Sequence, residues 1–341
     1  MFRLCLLCTA TVACSPPPDA PAPSTSTSSS TSTSGSTSAE TSPTADTAPE
    51  LPTFDCDTVP LAPVSGREVP GARGYHDLAF DAQGGLIGAS TSGDLLRVDF
   101  DGNAGVLVPN LGTVQQMAWL PDGDLAVASD ERGVLRVTPA GGVQPIASVF
   151  AYGLVTGPDG MLYAADQRLV VRIDPDTGDV RTLVEEGALD RGSPRVLAFD
   201  RTYERLLIGT LGGSQGRLYA IPLDADLEPA GPPEVFATGV GTGGYHDALG
   251  VDLCGYLYVP DYNTSAVYRV HPTSGQVQLL FDAVGFLNDA YGHGLEWGSG
   301  VGGWLDQAIY LPRPYANNKV TEVVIGVPSR DAPEIVPVNL P

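Results

Sequence analysis

The chain has 341 residues, 43% of them hydrophobic, with 40 acidic side chains against 18 basic ones and a formal charge of −22 at neutral pH. That length and apolar share support a sizeable core. With Lys319 as its single lysine, the chain offers no basic footprint for a nucleic acid and no cationic face for an anionic membrane surface; the acidic excess serves solubility and attracts cations.

Residues 1–13 open with one arginine, an apolar run and small residues. This is the pattern of a secretory signal, too short to span a bilayer. The segment ends in "TVAC", which resembles a bacterial lipobox, with small Ala13 before Cys14 and Thr11 where leucine is usual. The resemblance implies cleavage before Cys14 and a lipid on its thiol, and Ser15 is compatible with sorting to the outer membrane. The expectation is an extracytoplasmic lipoprotein of a bacterial envelope that touches the membrane through its lipid only. Residues 14–52 are dominated by Ser, Thr, Pro and Ala. Such a stretch has too little apolar surface to offset the entropy of ordering. It reads as a disordered tether with an r.m.s. reach of about 30 Å for roughly 25–35 flexible residues. Cys5 and Cys8 leave with the signal, so Cys56 and Cys254 remain as a candidate disulfide in an oxidising compartment. Two unrelated buried thiols are the alternative.

From residue 53 to 341 the sequence is periodic. "LAFDAQGGLIGA", "MAWLPDGDLAVA", "LVTGPDGMLYAA", "LAFDRTYERLLIGT" and "LGVDLCGYLYVP" each read as strand, Asp/Gly turn, strand. A second strand pair follows each of them, as in "LLRVDFDGNAGVLV" and "VYRVHPTSGQVQLL". Four strands per unit at a period near 40 residues predict an all-β, six-bladed propeller with four-stranded antiparallel blades. Aligned just before the first strand of each unit stand His76, Gln115, Tyr152, Arg195, Asp247 and His293, at spacings of 39, 37, 43, 52 and 46 residues. The last unit shows three clear strands. "GREVPGARGYHD" (66–77) matches "PEVFATGVGTGGYHD" (234–247), so residues 66–70 are expected to supply the outer strand of blade 6 and seal the ring. The C-terminal "EIVPVNL" competes for that place. Cys254 then falls in a turn on the face opposite the channel mouth, where the chain around Cys56 also enters, between blades 5 and 6. A tether arriving on that face leaves the mouth pointing away from the membrane.

The six aligned positions ring the mouth, joined by Asp77 and His246 from the twice-used "GYHD" (74–77 and 244–247). His76, Asp77, Gln115, Tyr152, Arg195, His246, Asp247 and His293 are therefore the candidate ligand-binding set. Ring closure makes blades 5, 6 and 1 neighbours, so His76, Asp247 and His293 are candidate metal ligands. Two imidazoles and a carboxylate suit Zn²⁺, Mn²⁺ or Fe²⁺ better than Ca²⁺. The competing reading has each histidine bonding a backbone carbonyl at a tight turn. Arg195 suits a carboxylate or phosphate group, or one of the many acids. "DPDTGD" (174–179) reads as a hairpin turn, His271 falls at a surface hairpin, and no nucleophilic-serine or phosphate-loop phrase stands in a strand-to-helix setting.

"LPDGDLAVASD", "GPDGMLYAAD" and "VDLCGYLYVPD" resemble the blade phrase of the NHL-repeat and gluconolactonase/regucalcin-like propellers, over about residues 66–326. In the lactonase branch, the resemblance implies a divalent cation at the mouth held by a Glu of the first blade, an Asn of the fourth and an Asp of the fifth. Carried onto this chain, Asp247 matches through a one-residue shift. His76 stands at the Glu place and Arg195 at the Asn place. The expectation is a monomeric propeller that binds a small molecule or an envelope protein at its mouth without catalysis. The alternative is a metal-dependent lactonase or esterase.

Overall fold

A computed structural model describes residues 51–213, 215–283, 293–332 and 335–341. The signal segment, Cys14 and all of the expected tether before Leu51 lie outside the described residues. The rest forms six four-stranded antiparallel sheets. Blades 1 to 5 are continuous in sequence, at residues 78–108, 114–147, 153–184, 193–237 and 250–282. The all-β, six-bladed propeller expected from the repeat is the fold of the protein.

The repeated turn after each innermost strand explains why the units fold alike. In blades 1, 2, 3 and 5 that turn ends on Gly84, Gly123, Gly160 and Gly255, all at positive φ. Each glycine N–H donates to the carbonyl three residues earlier, as in Gly84 to Asp81 at 3.1 Å and Gly255 to Asp252 at 2.9 Å. Blade 4 holds Tyr203 at φ 60° in the same place, a strained conformation for a bulky side chain. Its N–H still closes the turn onto Asp200, and its ring lies near Phe199.

Apolar side chains pack between blades rather than within them, as a repeat fold requires. One cluster joins Ala126 and Ala128 of blade 2 to Leu162 and Ala164 of blade 3. Another joins Leu78 and Leu86 of blade 1 to Trp304, Tyr310 and Val320 of blade 6.

Blade 6 takes three strands from the C-terminal end of the chain, Glu296–Trp297, Ala308–Arg313 and Lys319–Val324, and its outer strand, Ser65–Glu68, from the N-terminal end of the domain. The sequence match at 66–77 thus marked the closing strand. The competing C-terminal segment goes elsewhere: Val336–Val338 pairs in parallel with Thr53–Asp55. Charge pins the closure. Arg67 donates to both oxygens of buried Glu322, at 2.7 and 3.2 Å, and the Tyr310 hydroxyl donates to Glu322 Oε2 at 2.7 Å. Cys56 and Cys254 form the expected disulfide, with Cα atoms 5.7 Å apart, inside the cluster shared by blades 5 and 6. The motif at 174–179 is a hairpin turn in which Asp174 Oδ1 accepts from the N–H of Asp176 and Thr177. His271 caps a surface turn through Nδ1.

Candidate functional site at the propeller mouth

The mouth is built from the residues that lead into the innermost strands, and closure brings four of them into one chain of contacts. Arg195 donates from Nε and Nη2 to Asp247 Oδ1 at 3.0 and 2.7 Å. Asp247 Oδ2 lies 3.5 Å from His293 Nδ1. His293 Nδ1 lies 3.0 Å from His76 Nδ1, so one imidazole donates and the other accepts. Blades 4, 5, 6 and 1 each give one member. Gly294 permits the last contact, since a Cβ there would stand 2.4 Å from the His76 carbonyl oxygen.

The group is buried and walled by tyrosines. Arg195 and His293 are each 4% exposed and Asp247 is 7% exposed. The Arg195 guanidinium sits between the rings of Tyr152 and Tyr245, 4.2 and 4.7 Å from their centroids, where cation–π attraction adds to the ion pair. Tyr262 and Tyr315 stand edge-on or tilted against His293, and Tyr75 packs on His76.

The electrostatics follow from burial beside a fixed cation. Desolvation, reinforced by Arg195, lowers His76 to about 4. Desolvation, with His76 and Arg195 adding, lowers His293 to about 3. Both rings are neutral at neutral pH. Burial raises the Asp247 carboxyl to about 7, with Arg195 opposing it. Asp247 Oδ2 and His293 Nε2 are buried and have no hydrogen-bond partner among the described residues. Native interiors rarely leave such atoms idle, and each one asks for a reason.

Other members of the sequence-derived set turn away from the hub. Gln115 donates to Asp130 at 2.8 Å. His246 is fully buried between blades 4 and 5: its Nδ1 accepts from Thr210 N–H, and its Nε2–H donates to the Val240 carbonyl, both at 3.0 Å. Asp77 Oδ2 accepts the Met117 N–H at 2.8 Å, which latches blade 1 to blade 2. Burial raises that carboxyl to about 7 against its backbone bonds. Gln116, missed from the sequence, latches blade 2 to blade 3 in the same manner, with Oε1 accepting the Leu154 N–H at 2.9 Å. Tyr262 and Tyr315 were also missed. They follow the second strands of blades 5 and 6, Leu257–Asp261 and Ala308–Arg313, which run back to the mouth, so strand direction was the available signal.

The residues do not fit the cation of the lactonase branch. At the place of its Asn stands Arg195, whose positive charge already satisfies Asp247, and an imidazole replaces its Glu. Among the described residues no group of three or more His, Cys, Asp or Glu side chains has a metal-holding arrangement. The proposed trio of His76, Asp247 and His293 is in contact, but as a hydrogen-bonded, arginine-capped cluster.

A second cavity lies below the mouth. A channel of about 860 Å³ begins just below the ring, at Ala79, Leu154 and Leu295, and opens on the opposite face near Pro52, Tyr203 and Arg330.

No known family profile matches the sequence, and no curated protein matches it. Solved structures do. A gluconolactonase from Xanthomonas campestris superposes with a TM-score of 0.61 at 16% identity, over 77% of this chain and 89% of that one. Regucalcin, a calcium-binding protein of Agrobacterium tumefaciens, gives 0.61 at 18% identity, over 81% and 98%. An auxiliary nutrient binding protein from Bacteroides thetaiotaomicron gives 0.56 at 13% identity, over 82% and 75%. The chain has the six-bladed propeller fold shared by the gluconolactonase- and regucalcin-like proteins.

Proposed function

We propose that this protein is a lipid-anchored, extracytoplasmic propeller that binds a small polar molecule at its mouth without transforming it. The observation that carries the reading is the Arg195–Asp247–His293–His76 cluster, which keeps two buried polar atoms, Asp247 Oδ2 and His293 Nε2, without a partner among the described residues. A ligand's hydroxyl or amine would satisfy the first and its acceptor the second, with the surrounding tyrosines packing on its body. The guanidinium supplies positive charge at the place of a catalytic cation. It carries no exchangeable water, so it holds a ligand but generates no hydroxide. The nutrient-binding propeller among the structural neighbours is consistent with a binding role. The chain enters the described domain on the face opposite the mouth, at Leu51 and Pro52. A lipid on Cys14 would therefore hold the mouth outward, towards soluble ligands.

The test pairs calorimetric titration of the purified protein with Zn²⁺, Mn²⁺ and Ca²⁺ against a turnover assay on glucono-1,5-lactone. The expected result is no stoichiometric metal and no hydrolysis. In thermal-shift measurements with aldonates and monosaccharides, stabilisation should vanish in Asp247→Asn. A stoichiometric metal lost in both His76→Ala and Asp247→Ala, together with lactone hydrolysis, would replace this reading with that of a metal-dependent lactonase or esterase.

A further inference from the structure

The central channel has features that neither the mouth nor the blade packing uses. Its volume of about 860 Å³ lies in the range of small-molecule sites. Its wall is mostly apolar, and five aromatic residues reach it, Phe80, Trp119, Phe199, Tyr203 and Trp297, although the rings of Phe80, Phe199 and Trp297 are packed between blades. One acid stands on the innermost strands along this wall: Glu296, in the short strand Glu296–Trp297 of blade 6. Its carboxyl accepts from the N–H of Trp297 at 3.1 Å and has no ion-pair partner among the described residues. The charged groups that face it are Asp77, from blade 1, and Asp331, at the far opening. Asp331 is already tied to Arg330 at 3.0 Å. Nothing cationic reaches Glu296 from the mouth side, because Arg195 is spent on Asp247.

We propose that this channel is a second binding site, entered from the face opposite the mouth, for an apolar organic cation whose ammonium group meets the Glu296 carboxyl. An isolated carboxyl in an apolar tube is costly to ionise, and an ammonium ion removes that cost by pairing with it. The apolar wall favours the same ligand, since its apolar body fills the tube. Burial and the nearby Asp77 carboxyl push Glu296 up to about 8. The group therefore enters the complex by releasing one proton, and the ligand's charge takes the proton's place. A ligand carboxylate has the wrong sign for every unpaired acid that faces this site. The overall charge of −22 raises the local concentration of cations at the entrance.

The experiment uses the full chain and three probes of matched size, 4-phenylbutylammonium, 4-phenylbutan-1-ol and 4-phenylbutanoate. Calorimetry gives the affinities, and tryptophan fluorescence gives the place. Trp119 and Trp297 line the channel, whereas Trp304 is sealed against blade 1. At pH 7.5 the ammonium should bind about tenfold more tightly than the alcohol, as a charge-assisted bond does over a neutral one, and the carboxylate should not bind. Glu296→Gln, which keeps shape and hydrogen bonding, should bring the ammonium down to the affinity of the alcohol. Trp119→Phe should reduce the fluorescence response without changing the calorimetric affinity. Asp247→Asn at the mouth should leave channel binding intact, so failure here and failure of the mouth reading are separable. The proposal falls if the alcohol and the ammonium bind alike to the unmodified protein. It also falls if none of the probes binds at millimolar concentration, or if the ammonium preference survives Glu296→Gln.

Discussion

The two faces of the propeller treat their acids differently. On the far face, turn carboxylates find partners close by in sequence. Asp81 takes Arg97 and the N–H groups of Gln83 and Gly85. Asp200 takes Arg205 at 2.7 Å. Asp252 takes the Tyr258 hydroxyl and the N–H groups of Cys254 and Tyr256. At the mouth, Asp247 relies on an arginine 52 residues away, in the preceding blade, and one of its oxygens is left over. Local satisfaction marks scaffold. Partners recruited across blades, with hydrogen-bonding capacity to spare, mark a site.

The strongest way to break this contrast is to remove Arg195. In Arg195→Leu the Asp247 carboxylate stays buried without its cation. The unfolding free energy in urea should fall by about 3–5 kcal/mol, the usual penalty for orphaning one partner of a buried pair. Arg195→Leu/Asp247→Leu should recover most of that loss. If the double variant loses the sum of the two single effects, the pair is not a unit and the mouth is ordinary scaffold.

A smaller effect is expected on the far face. The disulfide closes 198 residues and ties the entering chain to the turn of blade 5. Cys56→Ala/Cys254→Ala should lower stability by about 2–4 kcal/mol. The unmodified protein in reductant should match it in thermal denaturation. Ligand stabilisation at the mouth should persist in the variant below its new melting point. Loss of that stabilisation would mean that the two faces are coupled.

Much of the scaffold was legible because its signals are local. The Asp–Gly turns recur in blades 1, 2, 3 and 5, "GREVPGARGYHD" (66–77) repeats a phrase from blade 4 to blade 5, and only two cysteines remain outside the signal segment and Cys14. The site was legible as a list of positions but not as orientations. Successive residues of a strand point to opposite sides, so "GYHD" yields only one inward member each time. In blade 1 that member is His76, while Asp77 latches blade 2. In blade 5 it is Asp247, while His246 turns between blades. The same tetrapeptide thus delivers a histidine at one blade and an acid at another. The alignment carried that shift, because it rested on the apolar residue that follows, but it did not show which neighbour faces the hub. Glu296 escaped notice for a related reason. One acid in "GLEW" is unremarkable until five other strands surround it with apolar wall.

The smallest expected effect sharpens the contrast along the axis between the faces. Glu296 has no ion-pair partner among the described residues, and burial together with the Asp77 carboxyl raises its folded-state carboxyl from the ordinary 4.5 to about 8. A raised carboxyl means that the fold prefers the protonated form. Below about pH 4.5 both folded and unfolded chains hold the proton, and the residue adds no pH-dependent cost. As pH rises from there towards 8 the unfolded chain ionises first, and the native state loses ground until its own carboxyl ionises. Glu296→Gln removes this penalty. The variant should match the unmodified protein at pH 4 and exceed it at pH 9 in urea denaturation. The gap should open between those limits. A difference that is constant across the range would mean that the channel carboxyl already has a partner and belongs with the satisfied acids of the far face. A gap that closes when 4-phenylbutylammonium is added to the unmodified protein at pH 9 would identify the missing partner as a cation.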